Sequence, residues 1–350
     1  MMAVNSTQTK TRSTTTAPRA AKAPATPAAS ARRPRPGQAH PLRTPPAPIA
    51  GTKPRASASA AEVVTAYLKV HVAKLQSLEP KVRADEFDSV HQMRVATRRL
   101  RSTLRSFGKV IPRARTEQVA AELKWLGGLL GEARDAEVLS EHLHDSLEPL
   151  PAELLIGPVQ ARVQGHFAPR RAAGREELIK VFDSERYATL LAGLDQLALD
   201  PPLGPKATAP AREVLPAAVG KVYRQASKRM RRARHEPAGP GRDVALHQAR
   251  KSARRARYAA EAASPAVGRK ARTFGQQMKK VQSVIGDHQD TVIARQAARD
   301  LGIGAHLAGE NAFTYGLLYE HERHRAARLQ AATRTTWKKA SRPRHLTWLS

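Results

Sequence analysis

Cysteine is missing from all 350 residues, which removes disulfide scaffolds, thiol nucleophiles, cysteine-ligated zinc and iron–sulfur clusters together and leaves no sign of an oxidising compartment. Any metal site would have to use histidine and carboxylates. Aromatic residues make up only 4%, few for a surface that reads single-stranded nucleic acid by stacking. No P-loop, GxGxxG or G-x-S-x-G stands in its required context. No apolar run approaches the ~18 residues of a spanning helix, and no signal-peptide core is found. Acid is scarce as well. Thirty Asp and Glu face 60 Lys and Arg, so the formal charge is +30. A self-repelling excess of that size points to a polyanionic partner such as nucleic acid, a phosphate polymer or acidic lipid, and makes a cationic substrate a poor fit. The lack of an acidic cluster also argues against a two-metal phosphatase or nuclease, which needs carboxylates to hold its ions.

The most frequent residues are alanine, arginine and leucine, a composition that favours helices over sheets. Residues 1–58 hold no Asp or Glu and mix Ala, Pro, Ser and Thr with scattered Arg. This segment reads as a disordered basic tail, because it has too few large apolar side chains to offset its ordering entropy. Its composition also resembles a transit peptide, but it lacks an amphipathic face. From Ala60 onward apolar residues recur at three- and four-residue spacing. Helices are expected near 60–79, 86–107, 114–146, 152–180 and 184–199, then, after the Pro/Gly break at 200–205, near 209–234, 242–263, 266–300 and 307–339. The expected units are a first bundle over 59–200, a second over 206–340 and a basic end over 341–350.

The two halves share a motif. His91-Gln92-Met93-Arg94 with Arg98-Arg99 and Arg101 recurs as His247-Gln248-Ala249-Arg250 with Arg254-Arg255 and Arg257, at an offset of 156. Lys124, Leu130, Gly131 and Asp135 recur as Lys279, Ile285, Gly286 and Asp290 at an offset of 155. A duplicated helical unit explains matches at so constant an offset.

On a helix, His91, Arg94, Arg98, Arg101 and Arg105 form one longitudinal stripe, beside an apolar stripe of Val90, Met93, Leu100 and Leu104. In the second copy the cationic stripe is His247, Arg250, Arg254 and Arg257, and it ends at Glu261. A solvated face would interleave acids at i+4 to relieve repulsion, yet none occurs between Val90 and Lys109. Arginine is also the side chain whose planar fork pairs bidentately with phosphate. The stripes therefore read as an anion-binding groove. Lys124 and Lys279 are candidates for its opposite wall, the two histidines for pH-tunable phosphate donors, and Asp135 and Asp290 for orienting arginines. The histidine clusters at 142–145, 287–290 and 321–324 lack the spacing of a catalytic zinc helix. Neither a metal nor a cofactor is expected.

The segments from Val90 to Arg105 and Leu246 to Glu261, with Leu130-Gly131…Arg134-Asp135 and Ile285-Gly286…Asp290 after them, resemble the CHAD family, the conserved-histidine α-helical domain. The resemblance spans roughly 60–340. It implies an all-α fold of two four-helix bundles related by a pseudo-twofold axis. A basic cleft between them would bind inorganic polyphosphate through His91, Arg94, Arg98, Arg101, His247, Arg250, Arg254 and Arg257, and a narrow channel would exclude duplex DNA. Such domains often accompany a triphosphate-tunnel catalytic domain, whose E-x-E-x-K signature is not found here. The expectation is a soluble, cytoplasmic, non-catalytic polyphosphate binder, targeted to polyphosphate granules. The rival readings are a nucleic-acid or nucleoid-associated protein, using the tail, the Arg334–Arg344 stretch and Trp337 as a stacking ring, and, less favoured, a phosphohydrolase.

Overall fold

A computed structural model describes residues 57–349. The tail expected over 1–58 lies outside the described residues apart from its last two. The described residues contain nine α-helices and no strand. The helices are α1 Ala60–Arg83, α2 Ser89–Ser106, α3 Glu117–Leu147, α4 Val159–Phe182, α5 Glu185–Leu199, α6 Ala211–His235, α7 Pro240–Val267, α8 Arg269–Leu307 and α9 Phe313–Ala340. The order agrees with the hydrophobic periodicity, and the differences sit at ends. Pro80 lies within the last turn of α1 rather than at a break, since one missing N–H near a C-terminus can be tolerated. The chain then reverses through Asp85 and Asp88, both at positive φ, where a short polar side chain is among the few non-glycine residues that fit. Residues 152–158 form a 3-10 turn and loop ahead of α4, and α8 runs seven residues past its expected end.

α1 begins on a capping box: Ser59 Oγ accepts from the Glu62 N–H and the Glu62 carboxylate accepts from the Ser59 N–H. Its buried face is Val64, Leu68, Val72, Leu75 and Leu78. α2 buries Met93, Ala96, Leu100 and Leu104, so the apolar stripe read from the sequence is its core face. α7 buries Ala245, Ala249, Ala253, Ala256, Ala259, Ala260 and Ala263. Small side chains along that face let α6 and α8 approach closely.

The core does not divide between the two halves of the sequence. One continuous apolar cluster draws on α1, α2, the first part of α3, α5, α6, α7 and the first part of α8. α8, about 58 Å long at 1.5 Å per residue, reaches beyond it. There its far end packs with the ends of α3, α4 and α9 around Leu143, Val163, Phe167, Leu301 and Leu318. The C-terminal end, expected as a basic extension, instead inserts Trp348 and Leu349 into the main core, with Trp348 edge-on to Phe274. Trp337 is buried and stacked on Tyr223, so it offers no free ring to a nucleic-acid base.

α2 lies against α7, and one carboxylate ties that junction together. Glu261 accepts from Arg257 Nε at 2.7 Å, from Arg99 Nε at 3.1 Å and from the Tyr67 hydroxyl at 3.4 Å, joining α7, α2 and α1. Both guanidinium groups lie over the Tyr258 ring, Arg99 at 5.4 Å and Arg257 at 5.5 Å from its centroid. Both arginines are nearly buried, so removing their shared partner strands two charges in low dielectric. Glu261→Ala should cost about 3–5 kcal/mol of unfolding free energy in urea titration. A loss under about 1 kcal/mol would show that the network is peripheral.

Candidate anion-binding site

Where α2 and α7 meet, the two stripes face one another. Arg98 stands beside Arg94 on its own helix and Arg250 on the other, and Arg254 is surrounded by Arg98, Arg250 and Arg94. Burial, reinforced by these like charges, lowers the affinity of both guanidiniums for their protons, and holds Arg254 down to about 10. The Tyr258 hydroxyl is a hydrogen-bond partner of Arg98. Among the described residues neither Arg98, Arg250 nor Arg254 makes an ion pair, and the Nε donors of Arg98 and Arg250 are buried without an acceptor. Other arginines of the fold are matched to acids: Arg83 with Asp183 at 2.8 Å, Arg186 with Glu122 at 2.7 Å, Arg162 with Glu310 at 2.5 Å.

The walls of the site are set by glycines and aspartates. A Cβ at Gly131 would meet the Arg94 guanidinium at 3.0 Å, and one at Gly286 would meet that of Arg250 at 2.9 Å. These glycines make room for a cation lying flat on α3 or α8. Arg94 is then held by Asp135 at 2.7 Å, the orienting role expected for that aspartate. Asp290 and Asp287 sit in the field of Arg250, with His142 and Arg325 behind them, and burial raises the pKa of both carboxyls.

The histidines head the two stripes as expected. Burial lowers the pKa of His91, which Asp88 partly opposes while Arg98, Arg134 and Arg94 add to the effect. His247 is lowered by burial and by Lys251, Arg250 and Arg254, and its Nδ1 is buried without a partner. Without an anion, both rings are therefore biased to the neutral form.

Not every predicted residue joins this group. Arg257 is taken up by Glu261 and Gln282, which makes it part of the scaffold. Arg101 and Arg105 lie further along α2, beside Lys251 and Arg255 respectively. The α2–α3 and α7–α8 contacts run antiparallel: Thr97 lies by Gly127 and Arg94 by Gly131, while Arg257 lies by Gly275 and Arg250 by Gly286. That register sets Lys124 level with Arg101 and Lys279 level with the Arg254–Arg255 turn of α7. Among the described residues neither lysine makes an ion pair; Lys124 is exposed and Lys279 half-buried. Arg134, whose guanidinium faces His91 and pairs with Glu137 at 2.5 Å, was missed, though it lies in the Leu130…Asp135 segment. Lys251, Arg255 and Tyr258 were passed over because they stand off the three-and-four stripe. Arg229 on α6, bonded to Gln248 and Ser252, carries no local signal at all.

Two histidines of the other clusters are occupied. His288 is buried against Gln330 and Asp243, and His142 bonds the buried Glu322 at 3.1 Å. No three His, Asp or Glu of the described residues are grouped to hold a metal ion.

The family model of the CHAD domain matches residues 66–299, two thirds of the chain and all of this site. The chain belongs to the CHAD family. The CHAD chain is 36% identical over 288 residues to the uncharacterized proteins MT2285 and Rv2226 of Mycobacterium tuberculosis, strains CDC 1551 / Oshkosh and H37Rv. The match covers 81% of this chain and 55% of each relative, so the chain spans about half their length. Two solved structures are similar to it. PptA from Streptomyces chartreusis superposes with a TM-score of 0.67 at 20% identity, over 80% of this chain and all of the other, and shows the fold. The CHAD domain from the plant Ricinus communis gives 0.58 at 26% identity, over 80% and 92%.

Two outcomes test this CHAD site. Burial lowers the pKa of His71 to about 3, in the same sense as those of His91 and His247. The unfolded chain therefore takes up protons first as pH drops below about 6.5, and stability is lost from there downward. The raised carboxyls of Asp287 and Asp290 act in the opposite sense nearer the acid end. The melting temperature should fall between pH 7.5 and 5.5, and a flat profile would contradict the burial of these rings. Gly286→Ala should leave the melting temperature within a few degrees, because only the far end of a side chain must shift, while weakening anion binding about tenfold.

Proposed function

We propose that this chain binds inorganic polyphosphate between α2 and α7 without turning it over, and so brings the protein to polyphosphate granules. The observation that carries the reading is the group Arg94, Arg98, Arg250 and Arg254, half-buried, with two orphan Nε donors and, among the described residues, a single ion pair, Arg94 with Asp135, on its edge. Buried guanidiniums without acceptors are costly. Phosphate oxygens supply both the missing charge and the missing acceptors, and bidentate geometry suits them. A flexible, slender chain of phosphates can present oxygens to both helices in turn. Its attraction comes from fork-shaped donors and released counterions, with no base to be read.

Reading the chain as a binding module rests on what the nearby carboxylates do. Asp135 is spent on Arg94, and Asp287 and Asp290 lie in the field of Arg250 and Arg325. Each is placed to orient or balance a cation. The histidines add a pH term: a bound anion favours their charged form, so affinity should rise as pH falls through the ordinary histidine range near 6.5.

A competition titration decides between partners. Labelled polyphosphate and duplex DNA are offered to the full chain and to residues 57–350 at physiological salt. Polyphosphate should win on both, with log affinity falling steeply and linearly in log salt. DNA binding equal to or tighter than polyphosphate binding would favour the nucleic-acid reading. Replacing Arg94, Arg98, Arg250 and Arg254 together by Ala should lower polyphosphate affinity at least about a hundredfold with helicity retained; unchanged affinity would reduce the stripes to solvated faces. Phosphate released over time from intact polyphosphate would overturn the non-enzymatic reading.

A further inference from the structure

The two ends of the α2–α7 junction carry opposite chemistry at positions that the 156-residue offset makes equivalent. At one end Arg99 of α2 meets Glu261 of α7. The equivalent pair at the other end is Arg255 of α7 with Arg105 of α2, and these are two cations that repel one another. A carboxylate on one side is thus an arginine on the other. Tyr258, whose ring lies under Arg99 and Arg257 at the Glu261 end, is equivalent to Ser102, a far smaller side chain whose Oγ is buried without a partner.

More cations collect around that Arg–Arg pair. Arg113 reaches in from the 3-10 turn after α2 and donates to the Arg105 carbonyl. Arg229 comes from α6, held by the Gln248 side chain and Ser252 Oγ, and Arg255 is held by Gln225 at 2.9 Å. Lys251 and Arg101 link this lobe to Arg254 and hence to the central group. Their hydrogen-bond partners are amides, a hydroxyl and carbonyls. Among the described residues not one of the six makes an ion pair, so no described carboxylate balances them. At every other margin of the site a carboxylate stands: Asp135 by Arg94, Asp290 by Arg250, Glu261 by Arg257.

We infer that the groove is one-ended: Glu261 and Tyr258 close it on one side, and Arg105, Arg113, Arg229, Lys251 and Arg255 form an arm that takes a run of phosphates leaving the central group on the other. This rests on the polyphosphate reading of the centre and adds the path of the chain. Short phosphate oligomers are held at the centre alone. Longer ones gain contacts in one direction only, although the sequence motif is present twice.

The test is Arg105→Glu, which supplies at the open end the carboxylate that the closed end already has. Arg105 is exposed, so the substitution does not disturb the core. Affinities are measured for tripolyphosphate and for a polyphosphate of about a hundred units. Arg105→Glu is expected to lower the affinity for the long chain at least about tenfold more than that for tripolyphosphate, to flatten the salt dependence of long-chain binding, and to raise the melting temperature of the unliganded protein by giving Arg255 a partner. Arg113→Ala with Arg255→Ala should shift the ratio in the same direction. If wild type binds both probes and the variants weaken them alike, or not at all, the arm is wrong and the centre stands. If wild type binds neither, the central reading fails and the arm falls with it. Duplex DNA responding to Arg105→Glu more strongly than long polyphosphate does would assign the arm to nucleic acid and overturn the inference.

Discussion

Arg94, Arg98, Arg250 and Arg254 are held together on two packed helices with one ion pair among them in the described residues, Arg94 to Asp135. Left alone, four guanidiniums at such range would drive α2 and α7 apart. What opposes that is the apolar cluster beneath them, Met93, Ala96 and Leu100 on one helix and the alanine face of the other, together with the Glu261 network at their flank. The surrounding structure can be understood as the means of keeping this repulsion in place until an anion relieves it.

That requirement explains several local features. Glycine stands at 131 and 286 because a guanidinium lies where a Cβ would be. Alanine dominates the buried face of α7 because close packing on α6 and α8, with α1 and α2 beside them, leaves little room. Tyr258 serves both sides, its ring under Arg99 and Arg257 and its hydroxyl toward Arg98. Stability and binding are opposed at these positions: what would stabilise the empty protein, a carboxylate among the arginines, would spoil the site.

Much of this was legible in the sequence. The spacing of apolar residues placed nine helices, and the His/Arg stripes at 91–105 and 247–257 marked the helices that meet. What could not be read was pairing across long separations. Arg257 looks like a member of the stripe until it is seen to share the Glu261 carboxylate with Arg99, which lies 162 residues before that glutamate. Arg229 and Arg113 are ordinary surface arginines in the sequence and acquire meaning only from the elements that carry them. Trp337, one of three tryptophans, suggested a stacking ring, yet its neighbours Tyr223 and Ala340 belong to the core. Helical periodicity reports which face is buried; it does not report against what.

The central claim is that Arg98 and Arg250 hold open donors for phosphate oxygens. Nitrogen NMR of arginine Nε during titration with polyphosphate observes those donors directly. The Nε–H resonances of Arg98 and Arg250 should move first and furthest, and those of Arg83 and Arg186, already bound to carboxylates, should stay where they are. Resonances of Arg98 and Arg250 that do not move while polyphosphate binds would contradict the account.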